Sequence, residues 1–227
     1  MAIFQNLVSN FKNAFITAKV AENDFVIFVV GPTGSGKSWF TKELCKNDEI
    51  QVGERGQHPR TKYVQALRCN FKNDLNNIIV VDTPSFHTEL EGFDAEKVTT
   101  DWIKSRFTKE CRGSGILFLH PLARDPTHHD MLMVRHLETF SATFPNGFAE
   151  PSCVYVVPTK EPASILKDEK VNQQLEKLKS TVVALENNSN GKWRVSMFDK
   201  VFKGRPETAW EVVQLLLREI ELTSVRR

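Results

Sequence analysis

Asp24-Phe-Val-Ile-Phe-Val-Val-Gly-Pro-Thr-Gly-Ser-Gly-Lys37-Ser38 is the stretch from which the rest of the chain is read. Phe25 to Val30 form an unbroken apolar run ending in glycine, the pattern of a strand buried on both faces of a parallel sheet. Gly31, Pro32, Thr33, Gly34, Ser35, Gly36, Lys37 and Ser38 then match GxxxxGK[ST] at every fixed position, between that predicted strand and a predicted helix. The glycines let backbone N–H groups turn inward and approach a phosphate where a Cβ would block them. The helix opening near Lys37, with Trp39 on its first turn, adds the positive end of its dipole. Lys37 is expected to reach the β- and γ-phosphates of a nucleoside triphosphate, and the Ser38 hydroxyl to ligate Mg²⁺.

Working outward, the apolar-run pattern recurs at Asn77 to Val81, Gly115 to Leu119 and Cys153 to Val157. Further strands are predicted from Tyr63 to Cys69 and from Arg194 to Met197. Helical patterns fall between them, near 37–47, 94–110, 127–143, 169–186 and 207–222. Alternating strands and helices predict an α/β three-layer sandwich with a mostly parallel central sheet and ligands at the carboxyl ends of the strands. Val171, Leu175, Leu178, Val182 and Leu185 step like a coiled-coil seam, but two heptads are too few, and a core-facing stripe is the expected reading. Asn187-Asn188-Ser189 reads as a polar loop.

Before the first strand, Ile3, Phe4, Leu7, Val8, Phe11, Phe15 and Ala18 recur at helical spacing. The expected organisation is an N-terminal amphipathic helix over 1–22, a nucleotide-binding domain over 23–222 and a tail over 223–227. The helix is expected to pack on the domain's flank; contact with a membrane or partner through residues 2–20 is the other reading, with only Lys12 and Lys19 to attract anionic lipid.

The 227 residues suit one α/β domain. Thirty basic residues against 28 acidic ones give a formal charge of +2, without the clustered basic face of a nucleic-acid groove, so no nucleic-acid partner is expected. Cys45, Cys69, Cys111 and Cys153 form no CxxC pair and the N-terminus has no signal-peptide layout, so reduced thiols and a cytoplasmic, at most membrane-associated, protein are expected. His128, His129 and His136 lack the i, i+4 spacing of a helical metal pair, and no zinc site is expected.

Ile78-Ile-Val-Val-Asp82-Thr83-Pro84 is the second chemical signal. A carboxylate at the end of a buried strand is costly without a partner, and Mg²⁺ beside the phosphate loop supplies one for Asp82.

Gly31 to Ser38 together with Asp82-Thr-Pro-Ser-Phe86 resemble the P-loop and DTPGF box of septin-like, AIG1-type GTPases, with the G-domain proteins of fungi nearest. Asp101-Trp-Ile103, Gly115-Ile-Leu-Phe-Leu-His120 and Glu207-Thr-Ala-Trp210-Glu-Val-Val extend the resemblance over about residues 25–220. It implies a Ras-like core, bound GTP or GDP with Mg²⁺, and dimerisation across the nucleotide face. It also implies that Thr61 is the switch threonine that completes the Mg²⁺ shell and senses the γ-phosphate. Ser85 stands where the family has the glycine whose N–H contacts the γ-phosphate, which puts the switching motion in question. Thr159-Lys160-Glu161-Pro162 stands where [NT]KxD reads guanine; the aspartate is missing, and Glu161 is the nearest carboxylate.

No glutamine follows Asp82-Thr-Pro-Ser, and His87 is the nearest candidate to hold the attacking water, with Glu89 behind it. Arg55 and Arg60 are candidate transition-state cations. The expected activity is slow, Mg²⁺-dependent GTP hydrolysis serving as a nucleotide-dependent switch. A non-catalytic nucleotide-binding scaffold and an NTPase of low base selectivity stay open beside it. Arg124 and Arg135 alone do not make the arginine-rich lid of a nucleotide kinase.

Overall fold

The computed structural model describes residues 18–47, 50, 61–69, 77–87, 91–107, 111–122, 129–146, 148, 150–160 and 168–224. Its elements are β1 (Asp24–Val30), α1 (Lys37–Cys45), β2 (Gln65–Cys69), β3 (Asn77–Asp82), α2 (Ala95–Arg106), β4 (Gly113–Leu122), α3 (His129–Ala142), β5 (Cys153–Lys160), α4 (Asp168–Asn188), β6 (Arg194–Met197) and α5 (Pro206–Ser224). The six strands lie in the order β2-β3-β1-β4-β5-β6. Only β2 runs antiparallel to its neighbour. The predicted α/β sandwich with a mostly parallel sheet is the fold observed.

The unbroken apolar run of β1 now has its reason, since every residue from Asp24 to Val30 is buried. Alternate side chains serve opposite cores, as the two-residue period of a strand requires. Phe25, Ile27 and Val29 join Phe40 and Leu44 of α1 and Trp210, Val213 and Leu216 of α5. Val26, Phe28 and Val30 join Trp102 and Ile103 of α2, Leu137 and Phe140 of α3, and Leu178 and Val182 of α4. The Leu178–Val182–Leu185 stripe is thus core, as expected. The close seat of α5 on β4 depends on Gly115, where a Cβ would lie 2.8 Å from Ile220 and 2.9 Å from Leu216.

Local signals set the helix ends. Asp94 caps α2, its side chain accepting from the Lys97 N–H at 2.9 Å, and Lys104 and Arg106 sit in the last turn, where the dipole favours cations. The helix predicted to reach residue 110 ends at Arg106, while α5 continues through Ser224, two residues past the predicted domain boundary.

Two expectations need correction. The helix predicted for 2–20 lies outside the described residues up to 17, and residues 18–20 are not helical. Instead the Ala18 N–H donates to the Ala66 carbonyl of β2 at 2.8 Å, a non-local bond that helical periodicity does not reveal. The four cysteines are not all free thiols either: Cys45 and Cys69 form a disulfide, leaving Cys111 and Cys153 free. Their separation of 24 residues hid the pair, which forms because α1 and β2 end side by side with Cα atoms 5.4 Å apart. Among the described residues no helix is long and apolar enough to cross a membrane.

Candidate functional site

The site forms at the carboxyl ends of β1 and β3, which are adjacent in the sheet and pair Val29 with Asp82. Thr83 ties the two ends together, its hydroxyl donating to the Val29 carbonyl at 2.8 Å. From β1 the chain turns through Gly31, whose φ of 153° and closeness to β4 exclude a side chain: a Cβ there would lie 2.5 Å from the Leu119 carbonyl oxygen. Gly36, at φ 91°, provides the N-cap of α1 without a side-chain hydrogen bond. The N–H groups of the first turn therefore have no capping side chain, the arrangement that receives an anion.

Lys37 folds back into this turn. Its Nζ donates to the carbonyls of Gly31 at 3.0 Å and Pro32 at 3.1 Å, and to the Ser85 hydroxyl at 2.5 Å. Burial pulls its pKa down to about 8, against the opposing pull of Asp82. Ser38, one residue on, donates its hydroxyl to Asp82 Oδ2 at 2.7 Å and lies 3.0 Å from the Thr61 hydroxyl. Burial pushes the Asp82 carboxyl up to about 6, while the Ser38 hydroxyl and the Lys37 charge draw it back. Asp82 Oδ1 is buried and has no hydrogen-bond partner among the described residues. A carboxylate with an orphaned oxygen beside two hydroxyls is a hard-oxygen donor set that fits Mg²⁺. The sheet thus brings together Ser38, Thr61 and Asp82, the three residues expected to hold the metal, although 44 residues separate the first from the last.

On the other side of the loop, the Thr159 hydroxyl donates to the Ser35 carbonyl at 3.0 Å, joining the end of β5 to the phosphate loop. Thr33 and Gly34 are exposed at the loop's tip. Trp39 packs against Phe202, with ring centroids 5.6 Å apart, and lies so close over Gly204 that a Cβ there would meet its indole at 1.9 Å. Phe202 pairs in turn with Thr159. Neither Phe202 nor Gly204 carries a sequence signal for this wall, which exists because the chain after β6 returns alongside β5. Glu161, Pro162, Glu89, Arg55, Arg60, Arg124 and His128, together with the side chains of Lys160 and His129, lie outside the described residues.

His87 reaches α3. Exposed and at φ 57°, it engages the Thr139 hydroxyl of α3 through Nε2 at 3.0 Å, with its ring 5.0 Å from that of His136. The preceding Phe86 is buried against Phe140 at 6.2 Å, which fixes the direction in which His87 leaves the box. His136 is itself buried with no partner for Nδ1 among the described residues. Burial, with His87, Lys37 and Arg135 adding repulsion, lowers its pKa to about 4. The sequence pointed to neither Thr139 nor His136 as a neighbour of the box.

Comparison with solved structures supports the fold. A bacterial selenocysteine-specific elongation factor, EF-Sec, superposes with a TM-score of 0.52 at 16% identity, over 90% of this chain and 29% of that one. An Aquifex aeolicus Era variant bound to GDP·AlF4⁻ superposes with a TM-score of 0.50 at 17% identity, over 89% of this chain and 57% of that one. Era in complex with MgGDPNP and a segment of 16S ribosomal RNA gives 0.50 at 17%, over 90% and 58%. This chain therefore spans about a third to just over half the length of these structural relatives. Among curated proteins compared by sequence, none matches. The family model described as "50S ribosome-binding GTPase" matches residues 26–144, more than half of the chain and the whole span from β1 through the Asp82 box to α3, and the chain belongs to this family of P-loop GTPases.

Proposed function

We propose that residues 23–222 are a G domain that binds GTP and GDP with Mg²⁺, hydrolyses GTP slowly and uses the bound nucleotide as a switch. The observation that carries this reading is the convergence of Ser38, Thr61 and Asp82 within hydrogen-bonding distance, beside Lys37. In this reading Ser38, Thr61 and Asp82 hold Mg²⁺, which when bound neutralises charge on the phosphate oxygens. Gly31 to Trp39 offer backbone N–H groups to the phosphates, and Lys37 offers its ammonium. Thr61 and Ser85 report on the terminal phosphate from opposite segments. Thr159, Lys160 and Glu161 are the candidates to read the base, and the Thr159 hydroxyl joins the end of β5 to the phosphate loop. His87 holds the attacking water only after leaving Thr139, which favours slow turnover.

The resemblance to septin-like, AIG1-type GTPases suggests dimerisation across the nucleotide face. The apolar periodicity of residues 2–20 offers a segment for contact with a membrane or partner. A non-catalytic nucleotide-binding scaffold is the second reading, and Ser85 in place of the family's glycine, with no glutamine after Asp82-Thr-Pro-Ser, favours it.

Calorimetry with GTP, GDP and ATP, each with Mg²⁺, tests the reading. Guanine nucleotides should bind at least tenfold more tightly than ATP, and Lys37→Ala should weaken GTP binding by about a hundredfold or more, as loss of a buried charge-assisted contact does. Equal affinity for ATP would replace it with an NTPase of low base selectivity. Absence of binding to all three would end it.

A further inference from the structure

Ser38, Thr61 and Asp82, the proposed metal residues, mark one end of the site, where β1 and β3 lie side by side. The strand order β3-β1-β4-β5 puts the end of β5 on the opposite side of the phosphate loop, where the Thr159 hydroxyl meets the Ser35 carbonyl. Mg²⁺ sits with the terminal phosphates of a nucleoside triphosphate, so the nucleoside leaves the loop away from the metal, towards β5. Trp39 stands on that side. It follows Ser38 on the first turn of α1, and its ring lies 5.6 Å from Phe202, which is bridged to Thr159.

Trp102, Trp193 and Trp210 are buried in the two cores, whereas Trp39 keeps part of its indole exposed. One side of that indole comes down on Gly204, at φ 75°, where a Cβ would meet Cζ2 at 1.9 Å and Cη2 at 2.1 Å. Phe202, beside it, is buried and held by its N–H to the Pro158 carbonyl at 2.8 Å. The ring is therefore backed by protein and still has apolar surface to cover. We propose that Trp39 is the nucleoside-contacting side chain of this site, its exposed indole surface stacking on the base of the bound nucleotide while Phe202 and Gly204 support it from behind. Every base has a π face, so the contact adds affinity for the nucleoside without choosing among bases. The inference rests on the nucleotide-binding reading above and names the side chain that grips the nucleotide beyond its phosphates.

The test measures affinities, with Mg²⁺, for GTP and for inorganic tripolyphosphate, which keeps the charge and lacks the nucleoside. The parent chain, Trp39→Ala and Trp39→Phe are compared. Trp39→Ala should weaken GTP binding about tenfold or more, the effect of removing one base–aromatic stack, and leave tripolyphosphate binding unchanged. Trp39→Phe, which keeps a flat ring, should bind GTP within about threefold of the parent. Indole fluorescence gives a second readout that does not depend on the alanine variant folding. Saturating GTP should change the emission of the parent, and most of that change should be missing from Trp39→Phe, which retains the other three tryptophans. Any of four results overturns the inference and leaves the phosphate-site reading standing: unchanged GTP affinity in Trp39→Ala, an equal loss for GTP and tripolyphosphate, no emission change in a parent that binds GTP, or the full change retained in Trp39→Phe. A parent chain that does not bind GTP overturns both.

Discussion

Lys37, Asp82 and His136 are ionisable side chains buried within one region, each held in a protonation balance that water would not allow. Asp82 and Lys37 face each other across the site, and burial disfavours the charged form of both. A bound phosphate and cation would give each a partner. His136 has no such relief, with aromatic Phe118 at 6.3 Å and His87 at 5.0 Å. Its pKa falls from 6.5 to about 4. Between those values the unfolded imidazole takes up a proton that the folded one refuses, so acid favours the unfolded chain. That contribution is absent above pH 6.5 and complete below about 4. Asp82 acts in the opposite direction, since its raised pKa makes the folded state the better proton acceptor between 3.8 and about 6. Only a comparison of the parent with His136→Gln isolates the histidine. Urea unfolding at pH 7 and pH 4.5 should show the parent losing about 2 kcal/mol more than the variant on acidification. Equal losses would mean that His136 titrates normally in the fold.

The ends of α1 and β2 carry the structural feature least expected from composition. The Cys45–Cys69 bond closes a loop of chain between them and clamps the helix that starts at the phosphate loop to the edge strand that follows Thr61. By loop-closure entropy, a cross-link over 24 residues contributes about 3 kcal/mol. Thiol titration of the unreduced, unfolded chain should give two reactive groups, Cys111 and Cys153, rising to four after reduction. Cys45→Ser should lower unfolding stability by about 3 kcal/mol in non-reducing buffer and leave it unchanged in reducing buffer. Four thiols before reduction would show that the two cysteines remain unbonded in solution. Element scale also explains what the sequence told of the helices. Apolar runs and caps such as Asp94 act over a few residues and can be read directly, so strand and helix positions came out within a few residues. The helix predicted for 2–20 fails at 18–20, because pairing with Ala66 is a non-local alternative that periodicity does not reveal.

For the molecule as a whole, the proposed slow turnover can be tested directly. Phe86 is committed to the core against Phe140, His87 is engaged by Thr139, and Ser85 engages Lys37, so the segment after Asp82 is tied at three points. The expected single-turnover rate of γ-phosphate release with Mg²⁺ is on the order of 10⁻⁴ to 10⁻² per second, the range of G domains acting without a partner. A rate of several per second would show that these ties open readily, and no detectable release from bound GTP would favour the scaffold.

The sequence by itself determined the α/β class, the phosphate loop from Gly31 to Ser38 and the candidacy of Asp82. Each of these is written in contiguous residues: an apolar run, a glycine pattern, a carboxylate closing a buried strand. Tertiary structure alone decided that Ser38, Thr61 and Asp82 meet, that Ser85 occupies Lys37, that Thr159 braces Ser35, that His87 turns to α3 and that Cys45 finds Cys69. These contacts depend on β3 lying beside β1 and on α1 packing over β2. Strand order and helix packing are set by how separated segments bury their faces together, and no single stretch of the chain contains that information.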